Sequence, residues 1–190
     1  MIQAGDAVHS EGKMLRIRIT MVALLVGVAA SGCVVASRGS VAPPHVDVIG
    51  NTDVSQYGTN AIQIFDNPAL REKVRALFGR DWDSPNPIGL SAAAPAFFAE
   101  SSPPTKLRIN GSDWIAVRGC MAEACAVRHG LVLIGSGGDR LYARVDDRGF
   151  TREYGYGRGM TSITAQDHAF IDAAWHALAL GSPRLGRGGA

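Results

Sequence analysis

Apolar and polar residues alternate along the chain from residue 106 onward, and this pattern predicts β-strands. Leu107 and Ile109 alternate with polar neighbours, and Asn110-Gly111 then provides a two-residue hairpin turn. Later strands are expected within residues 114–117, 127–134, 141–146 and 150–154, separated by a cysteine-containing loop and two turns. The chain is therefore expected to form an antiparallel β-meander of four to five strands.

Two segments outside this meander have apolar residues at helical spacing. Asp66-Asn67-Pro68 is expected to begin the first helix with a capping side chain and a proline, and Gly79 is expected to end it. Its apolar stripe comprises Leu70, Val74 and Leu77. The second helix begins at Thr164 and Asp167, which resemble a capping box, and its apolar side comprises Phe170, Ile171, Ala174, Trp175 and Leu178. A meander with helices packed on one face is an α+β fold.

The amino-terminal region is typical of an export signal. Basic residues precede an apolar run at residues 19–30, which is too short to span a bilayer as a mature helix. Ala30-Ser31-Gly32-Cys33 resembles a bacterial lipobox, which implies cleavage before Cys33 and acylation of that residue. Val34 follows where Asp would suggest inner-membrane retention, so a lipid anchor in the outer membrane facing the periplasm is expected. The alternative is an ordinary secretory signal, and Met14 is an alternative start because residues 1–13 contain two acidic residues.

Composition divides the remaining chain into three segments. Residues 34–60 are rich in Ser, Gly, Pro, Asn and Thr and are expected to form a flexible tether. Residues 61–181 are expected to form one small domain, and residues 182–190 a disordered tail. Residues 1–33 contain three of the 19 basic and two of the 17 acidic residues, which leaves 16 and 15 for the exported chain. This near-neutral balance argues against nucleic acid as a partner.

The cysteines point to a small disulfide loop. If Cys33 is lipidated, Cys120 and Cys125 remain, separated by four residues in a loop between two strands. The periplasm is oxidising, so a bond between them should form and persist. A disulfide that closes so short a loop stabilises the folded state by only about 2 kcal/mol, through the lower entropy of the unfolded chain. The bond therefore affects the shape of the loop more than global stability. A pre-ordered loop loses less entropy when it binds a partner, although a purely structural clip is an equal alternative.

The residues around this loop are the candidate contacts for a protein partner. They are Arg118, Met121, Ala122, Glu123, Ala124 and Arg128. The two arginines could pair with Glu123 or with acidic groups of a partner, and plain solvent exposure is the alternative. Cys120, Cys125 and His129 together match no common zinc spacing, and oxidised cysteines do not ligate metals. His168, Asp172 and His176 could bind a metal on one side of the last helix, but a solvated helix face is the favoured interpretation.

The order of these features resembles the inhibitor of vertebrate lysozyme family. The resemblance covers about residues 65–180 and is carried by Trp114-Ile-Ala-Val-Arg-Gly-Cys120, the four-residue loop, Cys125, the following apolar strand and Leu141-Tyr-Ala-Arg-Val-Asp146. It implies a periplasmic α+β protein whose disulfide loop inserts into the active cleft of a c-type lysozyme. The family loop typically reads Cys-Lys-Pro-His-Asp-Cys, and the resemblance implies that its histidine meets the lysozyme carboxylates.

The chain departs from the family in this loop, because Glu123 occupies the place of the histidine. A lysozyme cleft holds two carboxylates, so a third must be protonated or be repelled. The chain is therefore expected to share the fold of the family more closely than its activity. Either its target is a different enzyme with a neutral or basic cleft, or inhibition is lost.

Two functions follow from the sequence. The first is an envelope-anchored protein inhibitor of a peptidoglycan-cleaving, lysozyme-type enzyme, with the disulfide loop as a plug. The second is a structural or assembly lipoprotein of the bacterial envelope without inhibitory activity. The sequence contains no Ser-His-Asp motif, phosphate-binding loop or paired catalytic carboxylates, so no enzymatic activity, cofactor or metal is expected.

Overall fold

The computed structural model describes residues 42–50, 56–84 and 89–180 of the chain. Within these ranges the chain forms one antiparallel sheet and three α-helices. The strands are β1 (Val46–Gly50), β2 (Glu100–Ser101), β3 (Thr105–Ile109), β4 (Ser112–Cys120), β5 (Arg128–Gly135), β6 (Arg140–Asp147) and β7 (Phe150–Gly157). The helices are α1 (Ala61–Asp66), α2 (Arg71–Phe78) and α3 (Ala165–Leu180). In this part of the chain no helix is both long and apolar enough to cross a membrane.

The predicted α+β fold with an antiparallel meander is confirmed. The strands lie in the order β1-β3-β4-β5-β6-β7, and β2 pairs with the end of β4 beyond β3. The meander from β3 to β7 is the part that the alternating pattern predicted. The sheet has more strands than the four to five predicted because the five-residue β1 and the two-residue β2 are too short to establish an alternating pattern.

Strand β1 lies in the segment that was expected to be a tether. It pairs with β3 from Val46↔Ile109 to Gly50↔Lys106, and Val46 packs against the core beneath α3. Folded structure therefore begins before residue 61. The predicted leader, Cys33 and the predicted tail at residues 182–190 lie outside the described ranges.

The central strand β5 is buried on both sides. Val132 and Ile134 pack beneath α1, α2 and a short 3-10 helix, Ala94–Phe98, on what we term the α1–α2 face. Leu131 and Leu133 point to the opposite α3 face and pack against α3. The expectation that the helices cover one face is therefore wrong: they cover both. The cause is visible in β5 itself, because a run of consecutive apolar residues needs cover on each side.

The first predicted helix is two helices with a turn between them. Asn67 forms this turn: its Oδ1 atom accepts a hydrogen bond from the Ala69 amide at 2.9 Å, and its carbonyl accepts one from the Arg71 amide at 2.8 Å. Asp66 therefore ends α1 instead of beginning α2, which starts three residues after Pro68.

The remaining features predicted for this helix are confirmed. The apolar stripe is buried, and Gly79 ends α2 with a φ of 55°. Helix α1 was not predicted, although Asn60 caps it by accepting a hydrogen bond from the Gln63 amide at 2.9 Å.

Helix α3 begins with the predicted capping box. The Asp167 amide donates to Thr164 Oγ1 at 3.2 Å, and the Thr164 amide donates to Asp167 Oδ2 at 3.0 Å. The Tyr142 hydroxyl also donates to Asp167, and burial together with this hydrogen bond raises the pKa of Tyr142 to about 12. The predicted apolar side of α3 packs on the sheet, with Ile171, Ala174 and Leu178 buried and Phe170 and Trp175 partly buried.

A pair of glycines allows the 3-10 helix to pack closely on the sheet. Gly119 of β4 and Gly130 of β5 are direct cross-strand neighbours, and Phe98 lies against both. A Cβ atom would lie 2.6 Å from the Phe98 Cα atom if added at Gly119, and 2.4 Å from its Cζ atom if added at Gly130. Phe98 cannot move aside freely, because its ring contacts Phe65 at a centroid distance of 5.0 Å.

We expect Gly119→Ala to lower the free energy of unfolding by about 1–3 kcal/mol, because the added methyl group collides with backbone that cannot rotate away. Gly157→Ala in β7 is the matched control, since its Cβ would make an ordinary contact at 3.5 Å. Urea denaturation of both variants tests this packing. Equal stabilities of the two variants would contradict it.

Candidate functional site

The disulfide loop lies at the end of the β4–β5 hairpin. Cys120 is the last residue of β4, and Cys125 follows in the loop that precedes β5. The two residues form a disulfide with a Cα–Cα distance of 4.9 Å, as predicted. We term residues 120–125 the ring.

Backbone hydrogen bonds fix the loop independently of the disulfide. The Met121 amide donates to the Arg128 carbonyl at 3.2 Å, and the Ala124 amide donates to the Met121 carbonyl at 3.0 Å. The Val127 and Arg128 amides both donate to the Ala124 carbonyl at 3.0 Å. The loop is therefore two consecutive turns, so its tip has a defined position relative to the sheet.

The tip of the ring consists of Ala122 and Glu123, which are both exposed. Glu123 has a φ of 63°, a left-handed conformation that is uncommon for residues other than glycine. Ala122 does not share it, so Met121 to Ala124 form a type II turn with Glu123 at its third position. Such a conformation costs about 1 kcal/mol or more and is found preferentially at functional positions. Met121 and Ala124, which were also predicted as contacts, are half-buried.

Arg128 is not a free surface cation. Its Nε atom donates to Asp147 Oδ1 at 3.0 Å, and the arginine and aspartate side chains are only 16% and 5% exposed. The two residues are cross-strand neighbours in β5 and β6, and Asp147 Oδ2 also accepts a hydrogen bond from the Ser91 amide at 2.6 Å. Both solvent exposure and pairing with Glu123 are therefore wrong for Arg128, because a buried carboxylate lies directly opposite it.

Arg118 is also directed inward. Its guanidinium donates to the Leu178 carbonyl at 3.1 Å, near the carboxyl end of α3, and burial lowers the pKa of this arginine. The positive charge lies where the α3 dipole favours a cation. Arg118 therefore joins the sheet to α3, and solvent exposure is not what the structure shows for it either.

A cleft of about 530 Å³ opens beside the ring on the α3 face. Four of its residues form one row across the sheet, because Glu100, Cys120, His129 and Asp146 are successive cross-strand neighbours in β2, β4, β5 and β6. Helix α3 closes the other side with Trp175, Leu178 and Ala179. The cleft therefore combines a disulfide, an imidazole and carboxylates with an apolar wall.

Glu100 is the residue of this cleft that sequence reasoning missed. Its Oε2 atom lies 3.3 Å from Cys125 Sγ. The residue stands in a stretch rich in Ser and Pro without alternation, so no pattern pointed to a strand there. The pairing of Glu100 with Cys120 is a long-range consequence of the sheet.

The polar residues of α3 do not converge as metal ligands. His168 contacts Glu153, whereas Asp172 accepts a hydrogen bond from Arg144 at 2.9 Å and lies 3.5 Å from His176. Since Arg144 and Glu153 belong to the sheet, these contacts form an ion-pair network that joins α3 to β6 and β7.

The fold and this site together define an α+β domain with a disulfide-closed hairpin loop beside a cleft. Comparisons with protein-family models, with curated proteins and with solved structures each found no match.

We expect Arg128→Ala to lower the free energy of unfolding by about 3 kcal/mol, because it leaves Asp147 buried without its cation. Arg80→Ala, which removes an exposed arginine, is the control and should change stability by no more than about 0.5 kcal/mol. Thermal or urea denaturation measures both. If Arg128→Ala lowers the free energy of unfolding no more than the control does, the Arg128–Asp147 pair does not support the loop.

Stability should also fall in acid because of Asp147. Burial opposes ionisation of this carboxyl, but hydrogen bonds from Ser91 and Arg128 outweigh it and hold its pKa below the usual range. Its stabilising contribution is therefore complete above the unfolded-state value of about 3.9 and is lost as the pH falls through the folded-state pKa. We expect Asp147→Asn to flatten the dependence of unfolding free energy on pH below about pH 4. Parallel wild-type and variant curves in urea titrations would contradict this.

Proposed function

We propose that this chain is an envelope-anchored inhibitor of a peptidoglycan-cleaving, lysozyme-type enzyme, and that the ring is its plug. The observation that carries the proposal is the ring itself: a disulfide-closed turn at the end of the central hairpin, with Ala122 and Glu123 exposed at its tip. We further propose that Cys33 carries the lipid anchor and that the domain faces the periplasm from the outer membrane.

The rigidity of the ring supports an inhibitory role. A plug binds tightly only if little conformational freedom is lost on insertion. The disulfide and the backbone hydrogen bonds from Met121, Ala124, Val127 and Arg128 restrict this loop before any partner is bound. The Val127 carbonyl also accepts a hydrogen bond from the Arg148 amide at 2.9 Å, which ties the loop to the β6–β7 turn.

The geometry of the turn supports the resemblance to the lysozyme inhibitor family. In a type II turn the second position favours proline, and the third requires a positive φ. These positions are occupied here by Ala122 and Glu123, and the family loop places Pro and His there. Histidine is among the residues that tolerate a left-handed conformation, so one backbone shape suits both loops.

The side chain at the tip indicates a different target cleft. A glutamate carboxylate accepts hydrogen bonds, so it is suited to a cleft that offers donors or a cation at the position of the plug. The paired carboxylates of a c-type lysozyme would repel it unless one group is protonated. We therefore propose a peptidoglycan-cleaving target whose cleft is neutral or basic at that position.

The surface that would contact the target excludes the two arginines, because both bind groups inside the domain. Arg118 and Arg128 support the loop from behind by binding Leu178 and Asp147. The exposed residues of the loop are Ala122, Glu123 and Ala126, together with Val127, which is 48% exposed. In this proposal these four residues touch the target, and the arginines position them.

The alternative is a structural or assembly lipoprotein of the envelope in which the ring is a clip. The presence of Glu123 in place of the family histidine favours this alternative, because the residue that the family uses to contact lysozyme is missing. Substitution of the tip residues distinguishes the two functions, because a new tip residue would not give a structural clip any inhibitory activity.

We expect the full chain, purified in mild detergent with its disulfide intact, to inhibit its target in a cell-wall clearing assay. The panel should include a c-type lysozyme and other lytic enzymes. Glu123→Gln should weaken inhibition of the enzyme that responds by about tenfold or more, which corresponds to the loss of one hydrogen bond to a charged group. Glu72→Gln on the exposed side of α2 is the matched control and should leave inhibition unchanged.

A second variant tests the scaffold. Ala122→Pro combined with Glu123→His should produce or improve inhibition of the c-type lysozyme, because it restores the family tip on a compatible turn. Failure of the whole panel and of this double variant would sink the inhibitor proposal and favour the clip.

A further inference from the structure

The ring and Glu100 place three metal-ligating side chains together. Among the described residues, Glu100, Cys120 and Cys125 each bring one ligand atom within 4.8 Å of the other two. The cysteines are joined in the disulfide, so in this form only the carboxylate can ligate. The cluster nevertheless has the composition of a site for a borderline divalent cation such as Zn²⁺.

The sheet holds two of these residues in place, and turn hydrogen bonds hold the loop that carries the third. Glu100 and Cys120 are cross-strand neighbours in β2 and β4, so their separation is set by the sheet. Cys125 stands in the loop outside the strands. Glu100 is exposed and its Oε2 atom lies 3.3 Å from Cys125 Sγ, so its carboxylate can reach a cation bound at the cysteines.

We propose that reduction of the ring by a dithiol creates a binding site for Zn²⁺ or a similar cation, with Glu100 and the two cysteine thiolates as ligands. The inference goes beyond the proposed inhibitory function and does not rest on it. The ring is then a redox-gated metal site, closed by a covalent bond when oxidised and by a cation when reduced.

The reaction balances in two steps. The dithiol gives two electrons and two protons to the Cys120–Cys125 bond, which breaks into two thiols, and the dithiol becomes a disulfide. The cation then binds both sulfurs as thiolates and releases their two protons to solvent, so its affinity rises with pH.

Electrostatics favours a cation in the reduced ring. Two thiolates and a carboxylate within a few ångströms repel one another, and a divalent cation removes this repulsion. The four residues between the cysteines lie within the spacing of paired zinc cysteines, which is about two to four. His129 is the cross-strand neighbour of Cys120 on the α3 face and is the candidate fourth ligand, with water as the other choice.

Cobalt binding tests the site directly, with Co²⁺ as a spectroscopic probe. The full chain would carry Cys33→Ser, so that only the ring supplies thiolates, and would be reduced with a phosphine. We expect one Co²⁺ per chain with thiolate-to-cobalt charge-transfer absorption, displacement of Co²⁺ by Zn²⁺, and no such absorption for the oxidised protein. Zn²⁺ should also raise the unfolding temperature of the reduced protein.

Two variants assign the carboxylate ligand. Glu100→Gln should weaken Co²⁺ binding at least about tenfold while the charge-transfer absorption persists. Glu123→Gln, a change of the other carboxylate near the ring, should leave Co²⁺ affinity within about twofold. The proposal is overturned if the reduced protein shows no thiolate-cobalt absorption, if it is unfolded by circular dichroism, or if Glu100→Gln binds Co²⁺ as the parent does. These readouts use the isolated protein, so their failure is distinct from a failure to inhibit a lytic enzyme.

Discussion

Burial of β5 on both sides is the constraint from which the rest of the structure follows. Val132 and Ile134 require cover on the α1–α2 face, and Leu131 and Leu133 require it on the α3 face. The helices on the two sides meet this requirement, and β4 and β6 pair along both edges of the strand. The ring is attached to the half-buried amino-terminal end of this strand, so the packed interior fixes the base of the loop.

Charged residues extend this support to the loop. Arg128 and Asp147 pair across β5 and β6 immediately behind the ring, and Arg118 connects β4 to the end of α3. Two cations that sequence alone would place on the surface are thus parts of the framework. On the outward surface, Glu123 supplies the charge at the loop tip and Glu100 lies exposed beside Cys125.

Local sequence patterns were sufficient to predict the meander from β3 to β7. They were insufficient to predict the segments that pair with it or pack around it. Asn110-Gly111 predicted the β3–β4 hairpin because the turn needs positive φ at both positions, and the structure has 49° and 80° there. The disulfide and the α3 capping box were also predictable, since each depends on residues close in sequence. The pairing of β1 with β3, the contact of Glu100 with the ring and the Arg128–Asp147 pair join distant segments. They depend on the assembled sheet, which composition and periodicity do not specify.

The left-handed backbone at Glu123 separates the shape of the ring from its chemistry. The disulfide and the turn hydrogen bonds involve main-chain atoms and the two cysteines, so the tip side chain takes no part in holding the loop. Residues that tolerate this conformation can therefore replace one another at the tip while the framework stays the same. A lineage could retarget such a domain by exchanging one or two side chains, and a designer could use the same scaffold to display a small library of rigid tips.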